Sequence, residues 1–114
     1  MENLNTIHLR GIVGTIMKAT TNPIVRLTIA TNYVYRAEDG TPVIETTWHN
    51  VIAHRNEYNT KTLDGIEKGS KVEIVGRVRN RTIVASDGES RYHTEVVAKI
   101  VELLRDQSNL EYEI

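Results

Sequence analysis

The chain has 114 residues, 14 Lys and Arg against 15 Asp and Glu, a formal net charge of -1, and no cysteine. That length suits one domain with a real core. The lack of Cys excludes disulfides, a thiolate zinc site and a thiol nucleophile, and fits a reducing cytoplasm. The near-neutral charge excludes a surface uniformly coated in positive charge, but where basic residues cluster matters more than their sum. Phe is absent, so the single Trp and the five Tyr are scarce positions.

Met1 to Asn5 carries neither a basic nor an apolar segment, so no signal peptide is expected. No apolar run approaches membrane-spanning length, and no membrane partner is expected. Asn80-Arg81-Thr82 matches a glycosylation acceptor, which means nothing without a secretory route.

Thr6 to Ile16 alternates apolar and polar residues and predicts a first strand. Gly11 and Gly14 interrupt it, and glycine within a strand pattern marks a bulge or sharp bend. Thr20-Thr21-Asn22-Pro23 reads as a loop. Ile24 to Tyr35 predicts a long second strand, with Val25, Leu27 and Ile29 on one face and Arg26, Thr28 and Ala30 on the other. Asp39-Gly40-Thr41-Pro42 is a turn signal that pairs this strand with the next in a hairpin.

Ile44 to Ala53 is rich in β-branched residues, holds the only Trp and predicts the third strand. Alternation puts Trp48, Asn50, Ile52 and His54 on one face and Thr47, His49, Val51 and Ala53 on the other. A core uses one face. Two readings of Trp48 stay open: it fills the core, or it offers a flat surface to a stacked base, a contact worth about 1–3 kcal/mol.

Asn56 to Ile66 is the helix candidate, with Tyr58, Leu63 and Ile66 as its apolar residues. Lys71 to Val78 predicts a fourth strand bent at Gly76, Ser86-Asp87-Gly88 a turn, and Tyr92 to Leu104 the last strand. One domain is expected over residues 1–106, followed by a short acidic end at 107–114. Three strands, a short helix and two strands, with glycine bends, predict an all-β, five-stranded Greek-key barrel. This is the OB-fold, known for binding oligonucleotides and oligosaccharides. Fold alone does not assign function.

Arg77-Val78-Arg79-Asn80-Arg81 is the sharpest local feature after Trp48. Residues two apart on a strand share a face, so the three guanidiniums form a ladder with steps of roughly 6–7 Å. That spacing resembles the phosphate repeat of an extended single strand, and Arg both grips phosphates and stacks on bases. A solvated edge strand protected by charge accounts for the same residues. Lys71 and Arg91 flank the ladder, and Arg36 and Arg55 end the second and third strands. Tyr33 and Tyr35 share a face beside the hairpin, placed to stack on bases or to pack on a neighbouring loop.

Catalysis and metal binding find no support. His49 and His54 point to opposite faces, and His8 and His93 have no ligand neighbour at a recognised spacing. Neither a phosphate-cradling loop nor a nucleophile elbow is present, so neither an enzyme nor a cofactor is expected.

Asn5–Gly14, Leu27–Thr31, Thr47–Val51, Lys68–Val72, Gly76–Arg79 and Arg91–Val96 resemble, in order, the signature blocks of bacterial single-stranded DNA-binding proteins. The resemblance covers Asn5 to about Leu104. It implies an OB-fold that assembles as a homotetramer, a dimer of dimers. Such proteins bind single-stranded DNA without sequence preference in replication, recombination and repair, in the bacterial cytoplasm. Trp48 matches a stacking Trp, and Tyr35 falls where another stacking aromatic sits. His49 matches a histidine of the subunit interface, to which Asn5, Ile7 and Leu9 are also assigned.

His54 and Ile83 stand where the family often has aromatics. Binding is therefore expected to lean on charge and to depend strongly on salt. The sequence runs to Ile114 without the Gly/Pro/Gln-rich tail that recruits partners in this family, so either a trimmed or minimal member, or lost recruitment of replication and repair proteins, is expected. Two other readings remain: a tail-less dimeric primosomal accessory protein of the same fold, and an OB-type module for protein or RNA with Trp48 in its core.

Overall fold

The computed structural model describes residues 1–18 and 23–105. The expected loop at residues 20–22 and the acidic end at 107–114 lie outside the described residues. The elements run β1 (Ile7–Met17), β2 (Ile24–Arg36), β3 (Pro42–His54), α1 (Thr60–Gly65), β4 (Lys71–Val84) and β5 (Ser90–Leu103). The strands close a barrel in the order β1-β2-β3-β5-β4, with the helix between β3 and β4 as expected. A short parallel contact, Val51 with Val96 and Ile52 with Val97, seals β3 to β5.

β1 serves two neighbours. Residues Ile7 to Ile12 pair with β4, and Ile12 to Met17 pair with β2. Switching partners within one strand needs a bend, and Gly11 sits where a Cβ would overlap the carbonyl oxygen of Ala30. Gly76 does the same on β4, where the register against β5 slips and a Cβ would land on the Val97 carbonyl. Only a residue without a side chain lets the backbones approach so closely.

Inward-facing residues follow the alternation. Val25, Leu27 and Ile29 of β2 meet Val51 and Ala53 of β3 and Val72 and Ile74 of β4 in one buried cluster. Leu63 and Ile66 enter the same cluster from α1 and its C-terminal end. The Lys18 ammonium donates to the carbonyls of Asp64 and Ile66 at 2.7 and 2.9 Å. It thereby satisfies groups that a helix end leaves unpaired. The helix is shorter than the sequence predicts. The Asn56 side-chain oxygen accepts the N–H groups of Tyr58 and Asn59 at 2.8 and 2.9 Å, folding a separate turn ahead of it. Tyr58 is 86% exposed and anchors nothing.

β4 runs six residues past its expected end at Val78, because both hairpins extend beyond the barrel wall. Each closes with the same turn. Ala37 and Thr41, and likewise Ala85 and Glu89, bracket a glycine with φ of 86° and 85° respectively. In each, an Asp carboxylate accepts the N–H two residues on, Asp39 from Thr41 at 2.9 Å and Asp87 from Glu89 at 3.0 Å. The hydrogen bonds with Thr41 lower the pKa of the Asp39 carboxyl from its ordinary value. Among the described residues, no helix is long and apolar enough to cross a membrane.

Leu63 fills the core and Tyr58 does not. Leu63→Ala is therefore expected to cost about 2–5 kcal/mol in chemical denaturation, while Tyr58→Ala stays within about 0.5 kcal/mol.

Candidate nucleic-acid interface

The β2–β3 register decides where Trp48 points. Ala30 lies opposite Trp48, Thr28 opposite Asn50, Arg26 opposite Ile52 and Ile24 opposite His54. Directly opposed residues share a face, and the face carrying Leu27, Val51 and Ala53 belongs to the core. Trp48 is therefore outside, 59% exposed, which removes the reading that buries it.

What seats the indole is a β-bulge. The β1–β2 register slips between Val13 and Thr15, leaving Gly14 unpaired. The Thr28 hydroxyl accepts the Thr15 N–H at 3.0 Å and lies 2.9 Å from the Thr15 hydroxyl, which fixes the bulge. A Cβ on Gly14 would overlap the benzo ring of Trp48, with Cη2 at 2.9 Å. Bare backbone thus supports one side of the indole.

Farther along the same face, Ile52 is only 3% exposed although it points away from the core. The β4–β5 hairpin shelters it. A cleft of ≈ 230 Å³ opens there, lined by Arg26, Thr28 and Asn50 from β2 and β3 and by Arg81, His93 and Glu95 from the hairpin.

The arginine ladder does lie on this side, since Arg77 opposes Val97, Arg79 opposes Glu95 and Arg81 opposes His93. It is not three free guanidiniums. Glu95 is 2% exposed, and its Oε1 accepts from Arg79 Nε at 2.8 Å, with Arg79 Nη2 at 2.7 Å. Arg81 Nε stands 3.6 Å from the same oxygen. A buried carboxylate is costly without such pairing, and it claims two of the three rungs. Arg77 is exposed and makes no side-chain bond among the described residues.

Other expected basic contacts divide. Arg55 is 16% exposed and bonds Asp64 at 2.7 Å, so it ties β3 to α1 and is not available to a ligand. Arg36 braces the hairpin turn through the Gly40 carbonyl at 2.9 Å. Arg91 is exposed near the second hairpin tip opposite Ile83, whereas Lys71 lies at the far end of β4 opposite Ile12. His54 is exposed on the Trp48 face.

Tyr33 and Tyr35 are exposed, with ring centroids 6.1 Å apart. They oppose Glu45 and Val43, on the face of the ribbon away from Trp48.

The residues assigned to a subunit interface are mostly spent within the chain. His49 turns away from Trp48 and its Nε2 lies 2.8 Å from the Thr31 hydroxyl, with burial lowering its pKa and favouring the neutral ring. Asn5 exchanges two hydrogen bonds with the Val78 backbone, continuing the β4 ladder with a side chain. Leu9 is buried in the core and Ile7 packs against it, so neither side chain is free for a partner. What β1 does offer is backbone: residues 7–11 have no β2 partner on the edge away from β4.

Arg26, Thr28, Asn50, His93 and Glu95 are the site residues that sequence reasoning passed over. The alternation placed Arg26 and Thr28 opposite the core. Only the cross-strand register brings them beside Trp48. Among the described residues, no three His, Asp or Glu side chains gather as metal ligands.

Residues 4–104 match the single-strand binding protein family. The chain belongs to that family. It is 25% identical over 111 residues to the mitochondrial single-stranded DNA-binding protein of Drosophila melanogaster, covering 95% of this chain and 76% of the relative. It is 29% identical over 110 residues to single-stranded DNA-binding protein 1 of Xylella fastidiosa, covering 91% and 79%. Among solved structures, the Plasmodium falciparum single-strand binding protein in complex with single-stranded DNA superposes with a TM-score of 0.75 at 22% identity, covering 92% and 98% of the two chains. The small single-stranded DNA-binding protein of Streptomyces coelicolor gives 0.65 at 23% identity, covering 95% and 99%. These two structures bear on the fold.

Gly14→Ala is expected to push the indole off its support. Its emission should shift to the red as the ring becomes more exposed, and denaturation should show a loss of about 1–3 kcal/mol.

Proposed function

We propose that this protein binds single-stranded DNA without sequence preference and protects exposed strands in replication, recombination and repair. The observation that carries the reading is Trp48, an indole exposed outside the barrel and steadied by a glycine bulge. Every base has a π-face, so one rigid aromatic platform accepts any sequence. The names of the relatives point the same way. Phosphate neutralisation falls to Arg77, Arg91 and the outer parts of the cleft arginines. Because Glu95 occupies two rungs of the ladder, salt dependence is weaker than three free guanidiniums would give.

The test is a titration with fluorescein-labelled oligo(dT), read by anisotropy for wild type and Trp48→Ala at two salt concentrations. Trp48→Ala should weaken binding by about 1–3 kcal/mol, and oligo(dT) should quench the wild-type Trp emission. Unchanged emission together with unchanged affinity overturns the reading.

Self-assembly into a homotetramer is part of the proposal, supported by the β1 edge at residues 7–11, which has no strand partner on the side away from β4 among the described residues. Exposed strand edges are templates for pairing with another chain. Native mass should correspond to four subunits. A mass of two would favour the primosomal accessory role instead.

A further inference from the structure

The cleft beside Trp48 carries a charge imbalance. Arg26 and Arg81 line it, and Arg79 stands next to Arg81 through their shared neighbour Glu95. Two guanidiniums, Arg79 and Arg81, therefore share one carboxylate while Arg26 lines the opposite wall of the cleft, and Arg79 already takes that carboxylate's Oε1 with two nitrogens. Arg26 is exposed and makes no ion pair or side-chain hydrogen bond among the described residues. Arg81 Nε is buried and has no hydrogen-bond partner there. Like charges on two walls of one cleft repel unless an anion sits between them.

We propose that this cleft is a phosphate subsite in which Arg26 and Arg81 clamp a single backbone phosphate of the bound strand, with Arg79 and Glu95 as positioning residues. The proposal rests on the single-stranded DNA reading and deepens it. A volume of ≈ 230 Å³ is ample for one phosphodiester group. Asn50, on the β2–β3 wall, adds a neutral amide donor beside Thr28, whose hydroxyl is engaged with Thr15. The register fits a nucleotide repeat: Asn50 follows Trp48 by two residues on one face, roughly 6–7 Å along the strand. A base on the indole thus brings a phosphate next to it over the cleft. Glu95 bonds Arg79 and draws Arg81 to the same wall by an ion pair at 3.6 Å that leaves Arg81 Nε without a hydrogen bond. Arg offers a planar fork suited to phosphate oxygens.

The experiment measures affinity of the full chain for labelled oligo(dT) across a salt series, for wild type, Arg26→Gln, Arg81→Gln and the double variant. Each phosphate neutralised on a single strand contributes about 0.7 to the slope of log affinity against log salt. The double variant should lose one phosphate's worth, about 0.7, so its affinity falls about 2.6-fold less than that of wild type between about 50 and 200 mM salt. The single variants should be non-additive, their separate losses summing to more than the double's. Arg26→Lys should keep the slope. Unchanged slopes, or a double variant that loses about 1.4, would overturn the shared clamp: the former leaves the cleft without a phosphate, the latter gives each arginine its own. Should Arg81→Gln fail to melt cooperatively, Arg26→Gln alone decides, since its side chain is exposed: a lowered slope supports the clamp and an unchanged one ends it. If wild type binds no oligo(dT), the single-stranded DNA reading itself fails. A subsite failure leaves wild-type binding intact.

Discussion

The structure depends on the close approach of β1's backbone to its neighbours at two glycines. Gly11 lets the strand change partners against the Ala30 carbonyl, and Gly14 forms the bulge three residues later. Without the first, β1 could not pair with β4 and β2 in turn, and the barrel would have no closing strand. Without the second, the outer wall would have no hollow to receive a large ring. One local device thus serves both the closure of the core and the shape of the outer face that carries Trp48. That is economical in a chain of 114 residues with few aromatics.

Much of this was legible in the sequence. Strand alternation, the bend-forming glycines, the two Asp-Gly turns and the order of elements were enough to predict the barrel, and the faces of β2 and β3 came out as alternation demands. What stayed hidden were facts of register and of pairing between distant segments. Glu95 reads as one charged residue in a polar strand. Only its position opposite Arg79, with β5 pressed against β3, makes it a buried carboxylate that consumes the ladder. Arg55 likewise looks like a free strand-end cation until α1 delivers Asp64 to it. The helix was misjudged at its start because Asn56 competes for backbone N–H groups that a helix would otherwise claim.

The division of labour on the outer face follows from these pairings. On the Trp48 face, exposed aromatic surface is concentrated on one ring seated on bare backbone. Charge is distributed between groups tied to Glu95 and groups open to water, such as Arg77. Arginines held by a carboxylate lose less rotamer freedom when a ligand arrives, because much of that entropy was given up on folding. A partly neutralised but ordered surface therefore trades long-range attraction for definite contact geometry.

The twin turns have a consequence for how such arms can change. Both hairpins are locked at the tip by a left-handed glycine and an aspartate bond of the same design. Side chains alternate with a period of two, so an unmatched residue added to one strand would invert everything beyond it. In the first arm, one residue added to β2 between Ala30 and Tyr33 would carry the tyrosines to the other side, while Trp48, level with the barrel wall, stays outside. Length variation in these arms is thus confined to matched additions on both strands, which makes reach adjustable while sidedness stays fixed.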